Sequence, residues 1–367
     1  MAPVQLVLAI NPGSTSTKIA VFHGERCLLE RSVTHTLQEL ARFPSVNDQR
    51  DYRREAILAV LTEEGIELGS MAAVVGRGGL LHPVQGGTYR VNAQMLTDLT
   101  VGILGEHASN LGGILADELA QAAGDCPAFI VDPVVVDELT PEARPSGIPE
   151  VERSSIFHAL NQKAAARRAA AELGTSYAEL SVVVAHMGGG ITVGAHRLGR
   201  VIDVNDGLNG EGPFTPERSG AVAAMKVVNL CLSGEYTGEQ LRRMITGGGG
   251  LAAYLGTTDA REIRSRIESG DRRAEQIYRA MAWQIAREIG AAAAALGVRP
   301  QAIILTGGLA HDELLTQWIR SRVEWIARIL IYPGEAEMEA LAAGAQRVLS
   351  GAEPAREYRG GAQGDAP

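Results

Sequence analysis

Cysteine is scarce in this chain: Cys27, Cys126 and Cys231 are three among 367 residues, odd in number and far apart. No CxxC spacing occurs, which argues against a zinc site or a disulfide framework and for reduced thiols in a cytoplasmic protein. Positive charge is not in excess. The formal net charge is −9, and a nucleic-acid-binding protein usually needs a basic face. A local arginine cluster can still take an anionic small molecule. No basic-then-apolar leader opens the chain. The longest apolar stretch, 289–296, is short, alanine-rich and preceded by Arg287 and Glu288, so it reads as a buried helix rather than a membrane span. Histidines never recur at i, i+4, so a metal trio has no support.

Glycine-rich turns are present. Ala9-Ile10-Asn11-Pro12-Gly13-Ser14-Thr15-Ser16-Thr17-Lys18 and Ala185-His186-Met187-Gly188-Gly189-Gly190-Ile191-Thr192 each follow one apolar β-branched run and lead into another. Small-residue loops between strands let backbone N–H groups converge on an anion. At this length two domains are expected. The first reads as strands 4–10, 17–22 and 27–34, a helix 49–63 with Tyr52, Ile57, Val60 and Leu61 on one face, a strand 72–76, helices 92–101 and 109–123, and a strand 127–131. A proline-rich connection spans 141–149. The second repeats the plan: strands 180–186, 191–196 and 200–204, helices over 219–297, strand 302–306, helix 312–325, strand 328–332 and helix 335–349. The repeated element order predicts an internal duplication. The expected division is 1–150 and 151–333, with helix 334–350 returning to the first domain and 351–367 a disordered tail. Met225, Met244 and Met281 read as core filler.

Several residues could carry chemistry. Asn11, Ser14, Ser16 and Lys18 lie on or beside the first turn and suit phosphate, although Asn, Gly and Ser are also ordinary turn residues. Asp132 ends a buried strand before Pro133, where a carboxylate can face a cleft and hold Mg2+ through water, or simply initiate a turn. Arg77 and Arg218 are set among glycines and suit a carboxylate or a transferring phosphoryl group; the competing reading is a surface ion pair. His107, His158 and His186 could stabilise developing charge, or be satisfied structural histidines. Thr306-Gly307-Gly308 follows an apolar strand and lets a flat ring approach backbone, as any tight strand-to-helix turn does.

Taken together these segments resemble the acetate and butyrate kinase family, within the actin, hexokinase and Hsp70-like fold. The first turn is similar to the butyrate kinase branch. Further matches are Val75-Gly76-Arg77-Gly78-Gly79, Glu106-His107-Ala108-Ser109-Asn110, Ile130-Val131-Asp132-Pro133, Ile156-Phe157-His158-Ala159-Leu160-Asn161, Arg218-Ser219-Gly220 and Pro333-Gly334-Glu335-Ala336-Glu337-Met338, in family order. The resemblance implies an α/β fold of two duplicated actin-like (ribonuclease H-like) domains with mixed sheets flanked by helices and an interdomain active site. It implies an ATP-dependent phosphotransferase making butyryl phosphate and ADP, with Mg2+. Arg77 and Arg218 would clamp the carboxylate and the phosphoryl group, and His158 would stabilise the transition state. Asn11, Asp132 and Glu337 would organise Mg2+, with Glu339 the competing glutamate. Ser14, Ser16 and Lys18 would face the phosphoryl end of ATP. His186 with Gly188, Gly189 and Gly190 would hold the inner phosphates, and Gly307 with Gly308 the adenosine. His107 and Phe157 would lie near the acid. The family also implies a homo-oligomer, a dimer or higher.

Two departures from acetate kinases stand out. Gly189 replaces an asparagine of the second turn, and Gly79 replaces a valine close to the first arginine. A smaller residue at 79 predicts room for extra methylenes, each contributing about 0.8 kcal/mol when buried, and hence a four-carbon acid over acetate. Filling that space with valine is expected to shift preference toward acetate. Isobutyrate, propionate or acetate kinases are the alternative readings; a nucleotide-driven binding ATPase of the same fold is a distant one.

Overall fold

The first strands form because their apolar runs are continuous. β1 (Leu6–Pro12) is buried along almost its whole length, as a central strand covered on both faces must be. β2 (Ser16–His23) returns antiparallel to it, and β3 (Arg26–Thr34) is a polar edge with Leu29 its one buried residue. Charged residues suit an unpaired edge. The structure is a computed structural model and describes residues 5–362. After a short helix α1 (Leu37–Leu40) comes α2 (Arg50–Glu63), then β4 (Met71–Arg77), β5 (Thr88–Arg90), α3 (Ala93–Val101), α4 (Asn110–Ala122) and β6 (Ala128–Val131).

The second unit contains α5 (Ala159–Glu172), β7 (Ser181–Met187), β8 (Ile191–Arg197) and β9 (Arg200–Val204). Five helices follow: α6 (Ala224–Ser233), α7 (Gly238–Thr246), α8 (Gly250–Leu255), α9 (Ala260–Glu268) and α10 (Arg272–Ala295). Then come β10 (Ala302–Gly307), α11 (Glu313–Val323) and β11 (Ile329–Pro333). Its sheet order is β11-β10-β7-β8-β9. Side chains of β7 alternate between two cores. Val183, Ala185 and Met187 pack with α10 and α11, while Val182 and Val184 pack with Ala165, Ala166 and Ala169 of α5. That alternation is the period-two geometry of a strand sandwiched between helical layers.

The chain then returns to the first unit as α12 (Glu337–Leu349) and β12 (Arg356–Glu357). Residues through Asp137, and again from Ala336, form one compact unit, and Glu138–Glu335 the other. Glu138 falls in the second because its carboxylate bonds Lys163 Nζ at 2.8 Å and the Val201 N–H. The first sheet runs β12-β5-β6-β4-β1-β2-β3. Ile130 of β6 faces α4 at Gly113, and its neighbour Val131 faces α12 at Gly344, so one helix covers each side. Both units repeat one plan: two antiparallel hairpin strands beside a strand that pairs parallel with the next.

Several expectations change. Helix α5 and strand β5 are additional elements. The buried face of α2 is Arg53, Ile57 and Leu61, so Arg53 takes an inward position the apolar pattern does not announce. Met281 is buried, but Met225 is 67% exposed and Met244 37%, because no residue of α6 or α7 is buried. The tail is ordered beyond residue 351: Arg356 pairs with Tyr89, and the buried Tyr358 hydroxyl bonds Asp98 at 2.7 Å. Residues 363–367 lie outside the described residues. The 289–296 stretch falls at the end of α10, and among the described residues no helix is long and apolar enough to cross a membrane.

Candidate active site

In the first unit, β1 delivers Asn11 to the sheet's C-terminal end and β4 delivers Arg77 beside it. The first residue of α12 meets both. Glu337 Oε1 takes Arg77 Nη1 at 2.7 Å, and Glu337 Oε2 takes Asn11 Nδ2 at 2.5 Å. Arg77 also reaches Asn11 Oδ1 at 3.5 Å. Glu339 is exposed, and its charge adds to the upward push on the Cys27 thiol of β3, behind burial and Glu30. Asp132, buried at the end of β6, has φ +38°. That left-handed conformation is uncommon for a side-chain-bearing residue and clusters at functional sites. It is held by a reciprocal pair: Asp132 N–H to Gly87 O at 3.0 Å, and Gly87 N–H to Asp132 Oδ1 at 2.7 Å. His107 Nδ1 pairs with Ser109 Oγ at 2.8 Å, and burial, then the nearby Arg77 charge, pushes its pKa down.

Gly79 does not leave room. A Cβ there would lie 2.5 Å from the Asn110 Cα and 2.9 Å from its backbone nitrogen. Glycine at 79 lets the start of α4 close onto the β4 loop, and Leu80 N–H seals the contact on Asn110 Oδ1 at 2.9 Å. Gly79 therefore opens no space for extra methylenes, and it gives no reason to prefer a four-carbon acid over acetate.

The first turn connects β1 and β2, closed by Gly13 N–H to Ser16 O at 2.8 Å. Ser14 and Lys18 are exposed on it and Ser16 is half-buried. Beneath it lies Arg53, fully buried, a residue that sequence reasoning did not single out.

In the second unit the glycine turn joins β7 and β8, with Gly188 N–H bonding Gly190 O at 2.9 Å. His186 and His158 stack at 3.8 Å between ring centroids and 14° between planes. Each ring is pinned by its Nδ1, His186 on Asn161 Oδ1 at 2.8 Å and His158 on Thr192 Oγ1 at 2.9 Å. His186 Nε2 is buried without a hydrogen-bond partner among the described residues, 3.4 Å from a Glu335 carboxylate oxygen. A Cβ on Gly190 would collide with the Arg218 guanidinium and lie 3.3 Å from His158 Cε1. Glycine at 190 is thus what lets Arg218, His158 and the turn share one place. Arg218 gives Nη1 to Gly207 O at 2.5 Å, its Nε is buried and unbonded, and Glu217 stands 3.8 Å away. Phe157 is buried next to His158 in sequence.

Gly307, at φ +89°, has no space for a side chain, since a Cβ would lie 2.7 Å from Met187 backbone atoms. Gly308 is exposed with open space before it. Asn161, Thr192 and Glu335 complete these clusters and were not picked out from sequence. The Asn161 and Glu335 signals lie in the segments Phe157-His158-Ala159-Leu160-Asn161 and Pro333-Gly334-Glu335-Ala336-Glu337, where a polar residue stands three positions after His158 and two before Glu337.

Residues 151–324 match the acetokinase family. The fold is similar to that of acetate kinase from Porphyromonas gingivalis, 18% identical with TM-score 0.78, covering 94% of this chain and 100% of that one. It is similar to acetate kinase from Entamoeba histolytica, 14% identical with TM-score 0.73, covering 93% and 99%. A propionate kinase from Francisella tularensis subsp. tularensis SCHU S4 is 17% identical with TM-score 0.69, covering 92% and 98%. These likenesses establish the fold, two mixed sheets flanked by helices.

Proposed function

We propose, from the acetokinase match over residues 151–324 and the two arginine clusters, that the protein is an ATP-dependent kinase of a short-chain carboxylic acid. Butyrate is the acid suggested by the resemblance of the first turn. The observation that carries the reading is Arg218: a guanidinium held on a glycine turn beside two stacked imidazoles, with Nε unbonded. Such an arrangement is built for an anion rather than for packing.

In the reaction a carboxylate oxygen attacks the γ-phosphorus in line. The bond from that phosphorus to the β,γ-bridging oxygen breaks, and ADP leaves with the electron pair. The acid is ionised at neutral pH, so no general base is needed. Catalysis is then positioning and charge stabilisation. Arg77 and Arg218 offset the repulsion between two anions. His158, fixed through Thr192, donates toward the charge on the transferring group. The turns at 13–16 and 188–190 receive phosphates, with Ser14, Ser16, Lys18 and His186 beside them, and Gly308 leaves space for the adenosine. Asn11, Glu337 and Asp132 would each offer an oxygen to a hard cation that keeps most of its waters, Asn11 and Glu337 being the two in contact. Mg2+ held there supplies charge neutralisation on the phosphates. Glu337 also holds Arg77, so it aligns the arginine through one oxygen. His107 neighbours Arg77 and Phe157 neighbours His158, consistent with lining the acid.

Acyl phosphate trapped as hydroxamate, with Mg·ATP and acetate, propionate, butyrate, isobutyrate and valerate, tests the proposal. A kcat/KM maximum at butyrate supports the finer reading, and a maximum elsewhere in the series renames the acid. ATP hydrolysis with no acyl phosphate from any acid overturns the kinase reading.

A further inference from the structure

Arg53 is 0% exposed, yet no carboxylate among the described residues bonds it. Its Nε and Nη2 both reach Gln49 Oε1, at 3.1 and 2.9 Å. Nη1 reaches Ser16 O at 2.9 Å and Thr17 Oγ1 at 3.0 Å, and Nη2 reaches Ser14 O at 3.4 Å. Every acceptor is neutral. Thr17 Oγ1 is shared with His35 Nε2 at 2.8 Å, and His35 carries its Nδ1 to Tyr52. Burial, then the Arg53 charge, lowers the His35 pKa, and an imidazole, neutral or protonated, supplies no negative charge. Glu39, the carboxylate that acts on His35, bonds Thr36 and the Tyr52 hydroxyl and does not reach Arg53.

Burying a cation without a counter-ion is costly. Ile57 and Leu61 fill the neighbouring inward positions of α2, so packing alone does not call for arginine. What the guanidinium does is take the turn's carbonyls from behind. Ser14 O and Ser16 O point to Arg53, and Thr15 O receives the His35 N–H at 2.8 Å. The N–H groups of Ser14 and Thr15 have no acceptor among the described residues. A turn with its carbonyls tied inward and its N–H groups unbonded is a nest for an anion.

We propose that Arg53 is the positioning residue of the first turn, its uncompensated buried charge holding the turn's carbonyls inward and attracting the phosphates of the nucleotide. The inference rests on the reading that this turn meets phosphate. The negative charge that completes the ion pair is then supplied by the ligand, and Gln49 is glutamine because a glutamate would satisfy Arg53 internally.

The decisive variant is Gln49→Glu, isosteric and neutralising the charge in place. Affinities for Mg·ATP, Mg·ADP and adenosine are measured by calorimetry at one fixed ionic strength, alongside Tm. Gln49→Glu should weaken ATP about tenfold and ADP about threefold, with adenosine unchanged, the order expected for one unit charge acting at roughly 10 Å through protein. Its Tm should equal or exceed the wild-type value. Arg53→Lys, which keeps the charge but loses the fork, should lower Tm and retain the ATP-over-adenosine preference within about threefold. An unchanged preference in Gln49→Glu, or an equal loss in Arg53→Lys, overturns the proposal and leaves the kinase reading intact. Wild-type protein that binds ATP no better than adenosine overturns the phosphate reading of the turn and this inference with it.

Discussion

Arg218 uses one arm of its guanidinium on the Gly207 carbonyl and leaves Nε unbonded inside the protein. A buried donor without a partner costs stability and persists where a ligand completes it. Arg218→Ala is therefore expected to lower kcat for acyl phosphate formation by about 10³, as loss of a phosphoryl-transfer arginine does, with little change in Tm. Near-normal turnover would remove Arg218 from the mechanism. His196 behaves differently. It is fully buried between Tyr177 and Gln162, and burial, then Lys163 and Arg167, holds its pKa well below the ordinary value. The unfolded chain gains a proton near pH 6.5 that the native state resists. Stability contributed by the neutral ring is thus present above about pH 6.5 and falls as the pH drops below it. His196→Gln should flatten the decline in Tm between about pH 7.5 and 5.5. His35 and His107, shifted in the same direction, keep part of that slope. An identical slope in the variant would show that His196 is not its source.

Elements were legible where their signal is local. β1, β2, β7 and β8 are apolar β-branched runs around glycine turns, and a run with its turn predicts its own hairpin. Helix α5 was not legible, because Gln162 and Lys163 occupy buried positions and break the apolar stripe. Both are satisfied by partners distant in sequence, Gln162 by Thr192 and His196, Lys163 by Glu138. Arg53 hid the inward face of α2 in the same way. Gly79 shows the opposite error, a small residue read as empty space when it marks a close approach of two elements. Gly79→Val should overpack the contact with α4 and destabilise the protein by about 1–3 kcal/mol in urea titration. Unchanged stability with a shift toward acetate would restore the pocket reading.

Across the whole molecule the first unit is assembled from both ends of the chain and the second is continuous. α12 covers one face of the first sheet, with Thr88 Oγ1 bonding Gly344 O at 3.1 Å, and Tyr358 anchors the tail on Asp98. A fragment 138–335 should show cooperative thermal unfolding by circular dichroism. A fragment 1–137 should not do so until residues 336–362 are supplied. Cooperative unfolding of 1–137 alone would show that α12 is dispensable to the sheet it covers.

The sequence by itself determined the repeated order of strands and glycine turns, since hydrophobic period and turn chemistry are carried by neighbouring residues. It also carried the family resemblance, through short segments in order. Tertiary structure alone decided which side chains meet. Glu337 reaches Asn11 across 326 positions of chain while Glu339, two residues on, is exposed. Arg218 and His158 both lie against Gly190, where a side chain would collide with the guanidinium. Ion pairs, ring stacks and close backbone approaches depend on distances in space, and pattern along a chain does not record them.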